Sequence, residues 1–397
     1  MKKKKLNPHH PHKPLILLLT VLLASAPASQ VYAFRLPDVV KDYIDIGSDS
    51  DTEESVEDKD QNVESRGENT GSSGEKGDTS GEFSIIEKAI VEIMKSDWYK
   101  NTDARGRKEK IAEILAATGY VDKDTAMKGI DTILNFEFYG QKIGVLLDDY
   151  TEELYEQEEG ESYEQRDEIT ESLDQDRQAL ILYGLGFQEF DYALDYSSAK
   201  WNLNGLKTSM NDACTVADFK TDLKGKDLIV IEEHGCTYED EPLIATEEEY
   251  DPLSSYEYQD DLDAGRLEVM ISEAGAQYCL KPSFFEYYYG GGQLENSFVW
   301  IGSCYGASNS RLMDAFVNTG ARAVVGHSDS VYTMYDYNML NTVVDGMISG
   351  ESSSEAFQKA KDQWGENDEQ FAIKYMAVDY KEIPASYPSL TGDVSWK

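Results

Sequence analysis

Two short segments carry the residue types that nucleophilic catalysis requires. One is Asp227-Leu-Ile-Val-Ile-Glu-Glu-His-Gly235, an apolar run that ends in a histidine and a glycine. The other is Ser297-Phe-Val-Trp-Ile-Gly-Ser-Cys304, an apolar run that ends in small residues and a cysteine. Short runs of β-branched and aromatic residues read as buried strands, so His234 and Cys304 each stand just past a strand's carboxyl end. Ligands of open parallel sheets bind at that edge, and neighbouring strands lie about 4.8 Å apart. If the two strands are neighbours, a thiol and an imidazole face each other across one gap. Such a pair can drive attack of a thiolate on a carbonyl carbon while the imidazole protonates the leaving amine. A cysteine alone after a strand is ordinarily a small buried hydrophobe. The joint placement is what points to chemistry.

The histidine count sharpens this reading. His9, His10 and His12 lie within a segment that has the layout of a secretory signal peptide, residues 1–33. Lys2–Lys5 and Lys13 form its positive region, Leu15–Ala24 its apolar region, and Val31-Tyr-Ala33 its small-residue cleavage site, with Ala26-Pro-Ala28 as the alternative. Once that segment is removed only His234 and His327 remain, and the formal charge moves from −40 to −45 with the loss of five Lys. The expected location is therefore secreted, extracellular. No later run reaches the roughly 20 apolar residues of a membrane span, so none is expected in the mature chain. Strong acidity excludes nucleic acid as a partner.

Four Cys in 397 residues are too few for a disulfide scaffold, and no CxxC or HxxxH spacing suggests zinc. No cofactor is expected. Calcium is compatible with the charge, but no site is identified: in Asn101-Thr-Asp-Ala-Arg-Gly106, Arg105 holds a ligand position and Ala112 the twelfth. Cys236 could pair with Cys214 or Cys279 in an oxidising compartment, although buried free thiols are the expectation.

The elements that must position the pair follow from composition and period. Residues 34–82, acidic and Gly/Ser-rich from Gly47 on, read as a disordered tether. Helical spacing of Ile86, Ile90, Ile93 and of Ile111, Ile114, Leu115 predicts a small helical region over 83–160. Met127, Ile130, Ile133 and Leu134 are expected to begin a third helix, and Tyr139–Leu154 to make a fourth. Residues 161–176 continue an acidic linker. From 177 to 397, strands (Ala179–Tyr183, Leu206–Met210, Leu228–Glu232, Phe298–Ile301, Ala321–Val325, Phe371–Val378) alternate with helical patterns. That predicts one α/β domain with a mostly parallel sheet and helices on both faces. A long insertion between the His and Cys strands contains an expected hairpin, Arg266–Ser272 with Gln277–Phe285.

From about Asp176 onward the chain resembles the caspase-like cysteine peptidases, the group of caspases, legumain, clostripain, gingipain and separase. The resemblance rests on strand–His234-Gly235 followed by strand–Ser303-Cys304. Thr215-Val-Ala-Asp-Phe219 before the His strand, Gly320-Ala-Arg-Ala-Val-Val-Gly326 after the Cys helix and Leu390-Thr-Gly-Asp393 near the end add to it. It implies a caspase-like fold and a peptide or protein substrate. Cys304 would be the nucleophile and His234 the general acid, with the backbone N–H groups of Gly235 and Cys304 as oxyanion donors. Clostripain-like enzymes usually carry an acid two residues before the nucleophile, where this chain has Gly302. Asp329 could line the same pocket, with His327 and Ser303 as further substrate-binding candidates. An Asp preference would need a basic pocket, for which Arg311 and Arg322 are nearest in sequence. Cleavage activation would fall at Arg166 or Arg177.

Two other readings use the same residues. Gly302-Ser-Cys-Tyr-Gly306 fits the nucleophile elbow of α/β-hydrolases, with His327 as base. However, His327 sits on the next expected strand, without the intervening elements that such triads use. The third reading is a non-catalytic extracellular binding or adhesion module on a caspase-like scaffold.

Overall fold

The computed structural model describes residues 79–118, 133–147, 169, 172–184, 188–252, 255–272, 275–376 and 384–397. The signal segment, most of the tether and most of the acidic stretch that contains Arg166 lie outside them. The described chain opens with helices α1 (Thr79–Met94), α2 (Asp97–Lys100) and α3 (Ala104–Ala117). Asp103, in the loop weighed above as a calcium site, caps α3 by accepting from the Gly106 N–H at 2.8 Å.

The third and fourth helices expected here are not the structure's choice. A hairpin follows, β1 (Ile133–Phe138) and β2 (Gln141–Leu146), turned at Tyr139-Gly140, where both residues have positive φ; residues 127–132 of the one and 148–154 of the other lie outside the described residues. The reason is period. Leu134, Phe136 and Phe138 alternate on one face, and Ile143, Val145 and Leu147 answer them. Reading the same apolar residues at helical spacing missed that alternation.

The strands expected downstream form. They are β3 (Arg177–Tyr183), β4 (Leu206–Asn211) and β5 (Leu228–Glu232), with α4 (Gln188–Leu203) between the first two and α5 (Val216–Thr221) before the third. The insertion holds β6 (Gly235–Tyr238), β7 (Glu241–Glu249), the short α6 (Gln259–Asp263), the expected hairpin β8 (Leu267–Ser272) and β9 (Gly275–Leu280), and α7 (Pro282–Tyr289). Then come β10 (Phe298–Ile301), α8 (Arg311–Asn318), β11 (Ala323–His327), α9 (Thr333–Ile348), α10 (Ser353–Trp364) and α11 (Asp368–Phe371). Of the strand expected over Phe371–Val378, the described part is instead the end of α11, capped by the Asn367 side chain accepting from the Gln370 N–H, and a π turn, Ala372–Met376; residues 377 and 378 lie outside the described residues. The last strand is β12 (Pro388–Gly392).

Two six-stranded sheets result among the described residues, both flanked by helices: an α/β architecture. The first has the order β4-β3-β5-β10-β11-β12, its first five strands parallel and β12 antiparallel. The second, β1-β2-β8-β9-β7-β6, is antiparallel except where β2 runs parallel to β8. The N-terminal hairpin is therefore part of the insertion's sheet. One face of the first sheet (Leu182, Ile229, Ile231, Val299, Ile301) shares a core with α5, α7, α8 and the second sheet. The other face (Ile181, Val230, Trp300, Val325) packs on α4, α9 and α10. Burying a large apolar side chain contributes about 1.5–3 kcal/mol. The central strands are buried along their whole length, so their carboxyl ends form a stiff platform.

Candidate active site

The His and Cys strands are direct neighbours. β5 and β10 pair in parallel, with Ile231 opposite Ile301. Three residues further on, the chain reaches His234 on one strand and Cys304 on the other. The two ends touch through backbone: a Cβ built on Gly235 would lie 2.1 Å from the Cys304 carbonyl oxygen, 3.0 Å from its carbonyl carbon and 2.9 Å from the Ser303 Cβ. Only a residue without a Cβ permits this approach. His234 is itself fixed by its carbonyl, which accepts the Ala245 N–H at 2.8 Å where the second sheet begins. Its side chain reaches solvent, while the protein packed around it holds its pKa below the usual histidine range.

Cys304 is partly exposed and lies in a tight turn. The turn is held by three backbone bonds: Gly302 N–H to the Ile231 carbonyl (2.9 Å), Tyr305 N–H to the Asp329 carbonyl (3.1 Å) and Ala307 N–H to the His327 carbonyl (2.7 Å). Tyr305 has φ 62°, a conformation that costs a non-glycine residue about 1–2 kcal/mol. Its hydroxyl hydrogen-bonds with that of Ser330 at 3.1 Å. The Val331 N–H donates to the Cys304 sulfur at 3.4 Å, from the loop that leads into the 16-residue α9. A backbone donor at the amino end of a helix favours the thiolate over the thiol.

The other three cysteines are buried. Burial pushes the thiols of Cys214 and Cys279 far up, which makes them poor nucleophiles.

The remaining candidates separate. Asp329 is half-buried on the loop packed against the Cys304 turn, with its carboxylate accepting the Ser330 N–H at 2.9 Å. Ser303 and His327 do not line a crevice, because both are buried, at 1% and 0% exposure. Strand alternation decides this. Glu232 and His327 lie on the α9 face of the sheet, and Ser303 on the opposite one, beneath Gly235. His327 Nε2 is committed to Asp336 at 2.5 Å, so the imidazole required by the elbow reading is spoken for inside the core. Arg322 sits at the amino end of β11, the far edge of the sheet from Cys304, and Arg311 is paired with Glu241 at 2.6 Å. Arg177 is half-buried, bonded to Asp227 at 2.8 Å and to the Trp396 carbonyl at 2.7 Å, which removes it as an open cleavage site.

Three contributors went unread in the sequence: the Val331 N–H, Glu232 and Asp336. Glu232 carried a signal, as an acid at the end of an otherwise apolar strand. The other two depend on how α9 docks. Among the described residues no cluster of three or more His, Cys, Asp or Glu side chains is arranged to hold a metal, and no helix is long and apolar enough to cross a membrane. Compared with known proteins, the chain matches no family model and no curated protein.

Proposed function

We propose that the chain is a secreted cysteine endopeptidase of the caspase-like type, with Cys304 as nucleophile and His234 as general acid. The observation that carries this reading is the meeting of the β5 and β10 ends, with Gly235 seated on the Cys304 backbone. In the reaction the thiolate of Cys304 attacks the scissile carbonyl carbon and a C–S bond forms. The N–H groups of Gly235 and Cys304 stabilise the oxyanion. The C–N bond then breaks, His234 delivers a proton to the leaving amine, and water hydrolyses the thioester to regenerate the thiol. In this reading Asp329, on the adjoining loop, contacts the residue on the acyl side of the bond.

The test uses purified residues 34–397 as wild type, Cys304→Ala and His234→Ala, incubated with a peptide library varied at the P1 position under reducing conditions. Cleavage by wild type alone supports the reading and reports the P1 preference. If no form cleaves, and a thiol-directed probe labels Cys304 no faster than Cys214, Cys236 or Cys279, the peptidase reading fails. The scaffold is then better read as a binding module.

A further inference from the structure

Directly behind the His234–Cys304 pair, four buried side chains meet around one carboxylate. Asp336, in the first turn of α9, is 1% exposed. Its Oδ1 faces His327 Nε2 at 2.5 Å and accepts from Trp300 Nε1 at 2.9 Å. Glu232, also 1% exposed, lies against it. Burial, and next the neighbouring Asp336 carboxyl, raise the Glu232 pKa well above the usual carboxylate range. The three strand residues form one row, since the registers Ile231↔Ile301 and Trp300↔Val325 place Glu232, Gly302 and His327 side by side. Gly302 is what gives Glu232 its space: a Cβ there would lie 2.1 Å from Glu232 Oε2. One side chain thus ties the first turn of α9 to β10 four residues before Cys304 and to the end of β11, with Glu232 of β5 beside it. The loop entering that same turn supplies the Val331 N–H that points at the Cys304 sulfur.

We propose that Asp336 is a positioning residue for the Cys304 thiolate. By clamping the start of α9 to the ends of β10 and β11, it holds the Val331 N–H on the sulfur. This rests on the reading of Cys304 as the nucleophile. Asp368 braces the same turn from the other side, accepting the Tyr332 N–H at 3.4 Å and the Ser386 N–H at 2.7 Å. Titratable groups around the sulfur come from each flanking element: Glu233 and His234 after β5, Tyr305 in its own turn, Asp329 after β11, and Asp368 through Tyr332. The substitution below leaves all of them in place.

The proposal makes a prediction of definite sign. On charge alone, Asp336→Asn removes a negative group near the sulfur and should lower the Cys304 pKa. If Asp336 positions the N–H, the same change should raise it. The measurement is the pH dependence of Cys304 alkylation by iodoacetamide in the full chain, read by peptide mass spectrometry, with thermal unfolding in parallel. Thr342→Val serves as a control, because Thr342 is buried further along α9 and bonded to Trp364, away from the site.

The expected result is an upward shift of the midpoint by about one pH unit for Asp336→Asn, within the span by which local donors move thiols, and none for Thr342→Val. An unchanged or lowered midpoint in folded Asp336→Asn overturns the proposal, as does a wild-type midpoint no lower than the ordinary thiol value. Should Asp336→Asn not fold, Glu232 decides. Glu232→Gln keeps a polar side chain beside Asp336 and should retain the wild-type midpoint, whereas Glu232→Leu should raise it; equal midpoints in both refute the clamp. Alkylation needs no substrate. Correct midpoint shifts in a protein that cleaves no peptide would defeat the peptidase reading and leave the positioning role standing.

Discussion

Gly235→Ala adds one methyl group at the point where the ends of β5 and β10 touch. The added Cβ would fall 2.1 Å from the Cys304 carbonyl oxygen, whereas an ordinary carbon–oxygen contact is about 3.3 Å, an overlap of roughly 1.2 Å. The obstacle is backbone on one side and the Ser303 Cβ at 2.9 Å on another, so no rotamer change can relieve it. The two strand ends must separate. Overpacking of this kind costs about 1–3 kcal/mol of stability. A displacement of about 1 Å between reacting groups lowers turnover on the order of 100-fold. The assay is kcat/KM on the best library peptide beside urea unfolding, for wild type, Gly235→Ala and Gly265→Ala. Gly265 is the control because its φ of +64° imposes backbone strain on alanine while nothing lies within 4 Å. Gly265→Ala should lose about 1–2 kcal/mol of stability with near-wild-type activity. If Gly235→Ala keeps kcat/KM within about threefold of wild type, the close approach of Gly235 to Cys304 does not organise the reaction, and the reasoning is refuted.

Three further outcomes are expected. Gly302→Ala, whose Cβ would sit 2.1 Å from the Glu232 carboxylate, should cost about 1–3 kcal/mol, and most of that loss should vanish in a Glu232→Ala background; additive losses in the double-mutant cycle would contradict the contact. His234 must hold its proton to act as general acid and it titrates below the ordinary histidine range, so kcat/KM should fall as pH rises through a value below that range, and an alkaline limb at or above the range would assign the titration to another group. Asp368 is raised to about 6 in the folded state from an unfolded value of 3.8, chiefly by burial. A carboxyl raised on folding stabilises most when protonated, so its contribution is full below the unfolded value and is lost as pH rises through about 6, a change on the order of 3 kcal/mol. Asp368→Asn should flatten the stability–pH curve across that interval in urea titrations, and an unchanged slope would show that Asp368 does not contribute it.

Local signals determined much of this protein. Short, β-branched apolar runs such as Leu228–Ile231 and Phe298–Ile301 suit strands buried on both faces, and the residues that follow such strands emerge at the sheet edge. His234 and Cys304 were therefore legible as edge residues. Where two periods competed, the local signal misled: Ile133–Leu146 alternates its large residues as a strand does, yet its apolar content also fits a helix. The neighbouring sheet, which offers β8 a parallel partner in β2, settles the choice.

What only tertiary structure decided is what lies across a strand gap or beneath a helix. That β5 is next to β10 is a matter of sheet order, which strand sequences do not encode. Gly235 and Gly302 look alike in the sequence, but one clears a backbone and the other clears the Glu232 carboxylate. His327, one of two histidines outside the N-terminal 33 residues, was open to a role in catalysis by arithmetic alone. The side-chain alternation of β11 and the docking of Asp336 from α9 turn it into the core instead. Residue type and spacing fix which groups can reach an edge; packing from distant segments fixes which of them meet there.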